Sequence, residues 1–171
     1  MSAAALPAPR SRPYRIAMVC LGNICRSPMA AVVLEAKLAE ADLAERVTVT
    51  SSGTGGWHSG EPMDRRAAAQ LVDAGYDPSG HRAKQFDDAW FDNDLILAMD
   101  SDNLADILAQ GGSEDRVRLF RSFDPGVDTD AGKAPDVPDP WYGGPEGFAT
   151  TLAIVERTDD VLVGLFTDLL D

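Results

Sequence analysis

Histidine and cysteine are scarce in this chain, with two of each among 171 residues. Two cysteines cannot staple a small scaffold, so a disulfide-built fold is excluded and a reducing compartment is indicated. The histidines, His58 and His81, form no compact pair. With Cys20 and Cys25 spaced as Cys-x4-Cys, that leaves a structural zinc site short of ligands. Positive charge is also in short supply: 15 Lys and Arg stand against 28 Asp and Glu, a net charge of −13. Such a chain is a poor general binder of nucleic acid or of anionic membrane, so any anionic substrate must be captured by a local positive feature. No apolar run approaches the roughly 20 residues that span a bilayer. The opening "MSAAALPAPRSRP", residues 1–13, lacks the apolar centre of a signal peptide and carries three prolines. It is expected to be a disordered leader on a soluble, cytoplasmic protein.

What the chain does hold is 44% apolar residues, enough for the core of a single domain over residues 14–171. Tyr14–Val19 is a short apolar run that reads as a buried strand. Ser27 then suits an N-cap, with Pro28 at the first helical position and apolar residues at helical spacing beyond it. "RVTVTSSGTGG" reads as a strand running into a glycine-rich loop, and "MDRRAAAQLVDAG" as a helix stopped at Gly75. "DLILAMD", "DNLADILAQ" and "RVRLF" continue as strand, helix and strand. A Pro/Gly/Asp-rich loop from about residue 124 to 145 precedes a long closing helix. Strands alternating with helices predict an α/β fold with a four-stranded parallel sheet covered on both faces. Ligands of such folds sit at the carboxyl ends of the strands.

Cys20 lies at that end of the first strand, in "MVCLGNICRSPMAAVV". Two buried small side chains would explain the cysteines but not their company. A loop closing onto a helix N-terminus points backbone N–H groups inward and makes a nest for an anion. Gly22 and Asn23 are residue types that tolerate left-handed backbone. Arg26 can hold two phosphate oxygens at once. The same amides, helix dipole and guanidinium favour a thiolate at Cys20, and Ser27 can hydrogen-bond its sulfur. The pattern is a nucleophile beneath a phosphate-sized cradle. A proton donor for a leaving group should come from the long loop, where Asp124-Pro125 and Asp139-Pro140 compete; position alone does not choose between them.

"VCLGNICRSPMA" resembles the signature of the low-molecular-weight protein tyrosine phosphatases, and "SSGTGGWHSGEPMD", "HRAKQF", "LAMDSDNL" and "DVPDPWYGG" resemble later segments of that family in the same order. The resemblance implies hydrolysis of phosphotyrosine through a phosphocysteine on Cys20, with Arg26 holding the phosphate and no metal or other cofactor. It favours Asp139, followed by Trp141 and Tyr142, as general acid and base. Leu21, Gly22, Asn23, Ile24, Cys25 and Ser27 would surround the phosphate, and Trp57, Trp141 and Tyr142 would wall the cleft. Asp100 and His81 would brace the loop, although for His81 a purely structural role fits the residues equally well. Phosphotyrosine proteins would be the partners, a bacterial-type tyrosine kinase a candidate source of them, and the protein a monomer or weak dimer.

Two other chemistries share the fold. Thioredoxin-coupled arsenate reduction needs further cysteines downstream, and none follows Cys25. Phosphoarginine hydrolysis goes with threonine at the position of Ile24, which offers no hydroxyl. The run Asp128, Asp130 and Asp139 lacks the glycine a calcium loop needs, having Lys133 there. Cys25 is either loop packing or a partner able to trap oxidised Cys20 as a disulfide, which resembles the reversible inactivation known in the family.

Overall fold

The computed structural model describes residues 5–127 and 135–170. Asp128, Asp130 and Lys133 of the calcium-loop comparison therefore lie outside the described residues.

Four parallel strands form the sheet: β1 (Tyr14–Cys20), β2 (Val47–Gly53), β3 (Leu95–Ala98) and β4 (Val117–Leu119). Their order is β2-β1-β3-β4. Tyr14 pairs with Val47 and Cys20 with Gly53 along one side of β1, and Ile16 to Val19 pair with Leu95 to Ala98 along the other. From Ile16 to Cys20 in β1 and throughout β3 the residues are apolar and buried, because both faces are covered. On one face Ile16, Met18, Leu95 and Leu97 pack against α1 (Arg26–Glu40) and α4 (Pro145–Leu170). On the other, Ala17, Val19, Ile96 and Ala98 meet Ile107 of α3 (Ser101–Gln110) and Phe86. The remaining helix, α2 (Arg65–Asp73), lies against α4. At the far end of the sheet Tyr14 meets the fully buried Phe166 edge to face, ring centres 5.0 Å apart. Removing that ring should cost about 3–5 kcal/mol.

The element order is the expected one, with two differences. Residues 5–13 do not lie free as a disordered leader would. Arg10 N–H and Ser11 Oγ donate to the two oxygens of Asp94, at 2.6 and 2.5 Å. Tyr14 Oη donates to Pro7 O at 3.0 Å, and Arg116 and Arg118 reach the carbonyls of Ala8 and Ala5. Burial works against the Asp94 charge, but Ser11, the backbone amides and Arg10 outweigh it and hold the carboxyl below its usual range. The segment is fixed by its backbone groups together with the Ser11 hydroxyl and the Arg10 guanidinium, a set that leaves no periodic signature in side-chain type.

The second difference is at α1. The helix begins at Arg26, Cys25 occupies the cap position with no side-chain hydrogen bond, and Ser27 stands inside the first turn. The Ser27 hydroxyl is turned instead toward the loop.

Candidate active site

β1 delivers Cys20 to the carboxyl edge, and the chain turns through Leu21 to Cys25 before entering α1. The turn is possible because Asn23 takes left-handed backbone, φ 58°. Gly22 does not; its value is space, since a Cβ there would lie 3.1 Å from the His58 ring. Beyond the sheet, Thr54 N–H and Gly55 N–H donate to the carbonyls of Cys20 and Leu21, each at 2.9 Å. At Gly53, beside Cys20 in the sheet, backbone meets backbone: a Cβ on it would fall 2.6 Å from Leu21 O.

Asn23 is fully buried and every polar group it carries is used. Its N–H donates to Cys20 Sγ at 3.3 Å. Its Nδ2 donates to Ser27 Oγ at 2.8 Å and Ser51 Oγ at 3.0 Å. Its Oδ1 accepts from Lys84 N–H at 2.9 Å and its carbonyl from His81 Nε2 at 2.7 Å. The carbonyl fixes the tautomer: Nε2 carries the proton. Burial lowers the His81 pKa, the Asn23 bond opposes this, and nearby Lys84 and Arg82 add to the lowering. Ser27 Oγ lies 3.0 Å from Cys20 Sγ and 3.3 Å from Ser52 O. Having accepted from Asn23, it has one proton to place, and a thiolate would take it.

Arg26 is buried. Its Nη1 donates to Asp100 Oδ2 at 2.6 Å and to Val137 O at 3.1 Å, while Nη2 lies 3.5 Å from Asp139 Oδ2. Burial opposes its charge, but Cys20, the Asp100 hydrogen bond and the two carboxylates prevail and raise its pKa. Asp100 divides its labour, since Oδ1 caps α3 by accepting from Asn103 N–H at 2.8 Å. Val137 N–H donates to Met99 O at 2.8 Å, and Asp136 accepts from both N–H and Oγ of Ser101. The segment carrying Asp139 is thereby docked over the ends of β3 and α3. Asp139 Oδ1 accepts from Trp141 N–H at 3.0 Å.

Cys20, Arg26, Asp139, Trp57, Trp141 and Tyr142 all line one concavity, together with Leu21, Gly22, Ile24 and Cys25. Asn23, Ser27, His81 and Asp100 stand behind it. Trp57 and Tyr142 are 72% and 88% exposed, so both are rim residues and neither is core. Asp124 is elsewhere, buried between Arg121 and Arg157, which reach it at 2.8 and 2.7 Å. Sequence reasoning missed His58, which also lines the concavity. Its Nδ1 is 2.6 Å from Glu61 Oε2 and its ring centre 6.0 Å from that of Trp141. Adjacency to Trp57 was the available signal.

Residues 15–169 match the family described as low molecular weight phosphotyrosine protein phosphatase. A low molecular weight protein-tyrosine-phosphatase of Streptomyces coelicolor is 47% identical over 154 residues, 88% of this chain and 92% of that one. Phosphatase A of Mycobacterium tuberculosis is 45% identical over 85% of this chain and 87% of its own. Among solved structures, YfkJ from Bacillus subtilis superposes with a TM-score of 0.83 at 28% identity, covering 93% of this chain and 98% of that one. A protein tyrosine phosphatase from Entamoeba histolytica gives 0.82 at 29% identity, covering 91% and 97%. With a cysteine, an arginine and a carboxylate converging on one anion-sized nest, and with matches spanning nearly the whole sequence, the chain belongs to the low molecular weight phosphotyrosine protein phosphatase family.

Proposed function

We propose that this protein hydrolyses phosphotyrosine in proteins, with Cys20 as nucleophile, Arg26 as phosphate clamp and Asp139 as general acid and base. The observation that carries the reading is the contact of Asp139 with Arg26 at 3.5 Å across the mouth of the loop that holds Cys20. It sets the proton carrier beside the cation that would hold the transferring group.

Cys20 Sγ attacks phosphorus in line; the S–P bond forms as the bond to the phenolic oxygen breaks, and Asp139 gives that oxygen its proton. The loop amides and Arg26 hold the equatorial oxygens, where most of the barrier reduction arises. A phosphate dianion arriving on Arg26 displaces the Asp139 carboxylate from its cation. In the second step Asp139 removes a proton from water as its oxygen attacks phosphorus; the O–P bond forms as the S–P bond breaks and its electron pair leaves on Cys20 Sγ. Ser27 Oγ, 3.0 Å from the sulfur, stabilises the departing thiolate.

The cradle lies at the bottom of a cleft rimmed by Trp57, Trp141 and Tyr142. Phosphotyrosine reaches it and phosphoserine falls short. Ile24, nearly buried at the cleft wall, adds apolar bulk and no hydroxyl, which favours phosphotyrosine over phosphoarginine. A phosphoprotein made by a tyrosine kinase, with a bacterial-type enzyme the candidate, is the partner this implies, and a reducing cytoplasm would keep Cys20 a thiol.

The test is hydrolysis of matched phosphotyrosine, phosphoserine and phosphoarginine peptides by the wild type and Cys20→Ser. Phosphotyrosine should be cleaved fastest, and only by the wild type. Faster turnover of phosphoarginine, or activity in Cys20→Ser, would overturn the assignment.

A further inference from the structure

Arg66 belongs to no part of the machinery above, yet it ties three pieces of it together. Asp64 donates its backbone N–H to Ile24 O of the loop at 2.9 Å. Its carboxylate caps α2 and holds the Arg66 guanidinium, with Arg66 Nη2 3.1 Å from Oδ2 and Nε 3.2 Å from Oδ1. From there the guanidinium reaches across to the segment bearing the acid. Arg66 Nη1 donates to Trp141 O at 3.4 Å, and the guanidinium carbon stands 5.3 Å from the centre of the Trp141 ring. Its position is fixed from below by Phe148 of α4, a fully buried ring whose centre lies 4.6 Å away. Trp141 N–H is the group that holds Asp139 Oδ1.

A cap contact between Asp64 and Arg66 alone would be an ordinary surface ion pair, worth little. The second half of the contact set, on Trp141 and Phe148, has no such explanation. A planar cation with its fork on one carboxylate and its charge over two aromatic rings, at 5.3 and 4.6 Å, is a spacer whose fork a lysine cannot reproduce.

We infer that Arg66 is a positioning residue for the proton transfer, setting Asp139 over the loop by anchoring Trp141 to α2. The inference rests on the assignment of Asp139 as acid. The segment is then pinned on both sides of Asp139, upstream by Val137 on Met99 and downstream by Arg66 on Trp141.

The experiment uses the full chain, a series of aryl phosphates whose phenols differ in acidity, and the variants Arg66→Ala, Arg66→Lys, Asp139→Ala and Arg66→Ala/Asp139→Ala. Arg66→Ala should lose about tenfold in kcat/KM on the poorest leaving groups and less than about twofold on the best. The double variant should be within about twofold of Asp139→Ala, because both changes remove one function. Arg66→Lys should retain the defect. A loss equal across the series, losses that multiply in the double variant, or full recovery with lysine would overturn the inference. Acrylamide quenching of Trp141 fluorescence, in a Trp57→Phe/Trp90→Phe background, reads the anchor without reference to turnover. Quenching should rise in Arg66→Lys and, where it folds, Arg66→Ala; unchanged quenching would overturn the anchor. A flat leaving-group profile in Asp139→Ala itself would remove the acid assignment, and the quenching result would then decide the Arg66–Trp141 tie alone.

Discussion

At the scale of single residues, the two Asp-Pro pairs show how far sequence reaches. Both suit a loop, and only the aromatics after Asp139 hint at which one faces a phenyl ring. Asp139→Ala should lower kcat/KM for poor leaving groups by about a hundredfold or more and for good ones far less, since only the former need the proton as the phosphocysteine forms. Kinetics across a leaving-group series check this. Asp124→Ala should leave that profile untouched, but the buried carboxylate bridging Arg121 and Arg157 makes the change far from silent in stability. A loss of about 2–3 kcal/mol in urea unfolding is expected, because two guanidinium partners lose their acceptor. Cys25 was legible as a non-nucleophile from its spacing alone; its setting was not. Burial, then the charges of Asp64, Cys20 and Asp139, push its thiol well above the ordinary value. Trapping of oxidised Cys20 by this thiol would therefore be slow, since exchange needs the thiolate. Cys25→Ser should keep most activity yet, after peroxide, recover less with dithiothreitol than wild type. Equal recovery would leave Cys25 as packing.

At the scale of elements, strands and helices followed from period and punctuation, and the helix starts were the weaker part. Ser27 before Pro28 is a sound cap signal, overridden because its hydroxyl has a better partner in the sulfur and Asn23. The closing helix hides something no periodicity shows. Asp159 is fully buried in α4, and neither carboxylate oxygen has a hydrogen-bond partner among the described residues. Burial raises its pKa far above the usual range; Lys37 of α1 opposes this and Asp160 adds to it. Lys37 itself is paired with Asp160 at 2.7 Å. The folded state thus binds a proton that the unfolded chain gives up from about pH 4 upward. The sign follows: this group's contribution is complete below that pH and is lost as pH rises. Asp159→Asn should match wild type near pH 3 and exceed it at pH 7 by at least about 1 kcal/mol, measured by urea unfolding at both pH values.

At the scale of the whole molecule, a net charge of −13 surrounds a nest built for an anion. On the proposed reading capture is local, by Arg26 and the amides, while the far field would repel an acidic phosphopeptide before it arrives. Raising sodium chloride from about 0.01 to 0.15 M shortens the Debye length from about 30 to 8 Å. It should therefore raise kcat/KM for an acidic phosphopeptide while changing that for a small aryl phosphate much less. A fall in both together would mean that the field assists encounter. The overall architecture was readable because alternating strands and helices admit few arrangements. The path of residues 5–13 was not, since carbonyls and amides meeting Asp94, Arg116 and Arg118 carry no trace in residue type.

Gly53 makes the catalytic loop a casting whose mould is the neighbouring strand. Because Leu21 O leaves no room for even a methyl group on β2, the segment from Cys20 to Ser27 is no portable cassette. Transplanted onto another parallel sheet with the same Cys-x5-Arg spelling, it should fail to set wherever the adjoining strand carries a side chain at that height. Designers borrowing this chemistry need to borrow two strands, and the bare position at the end of the second is the part most easily left behind.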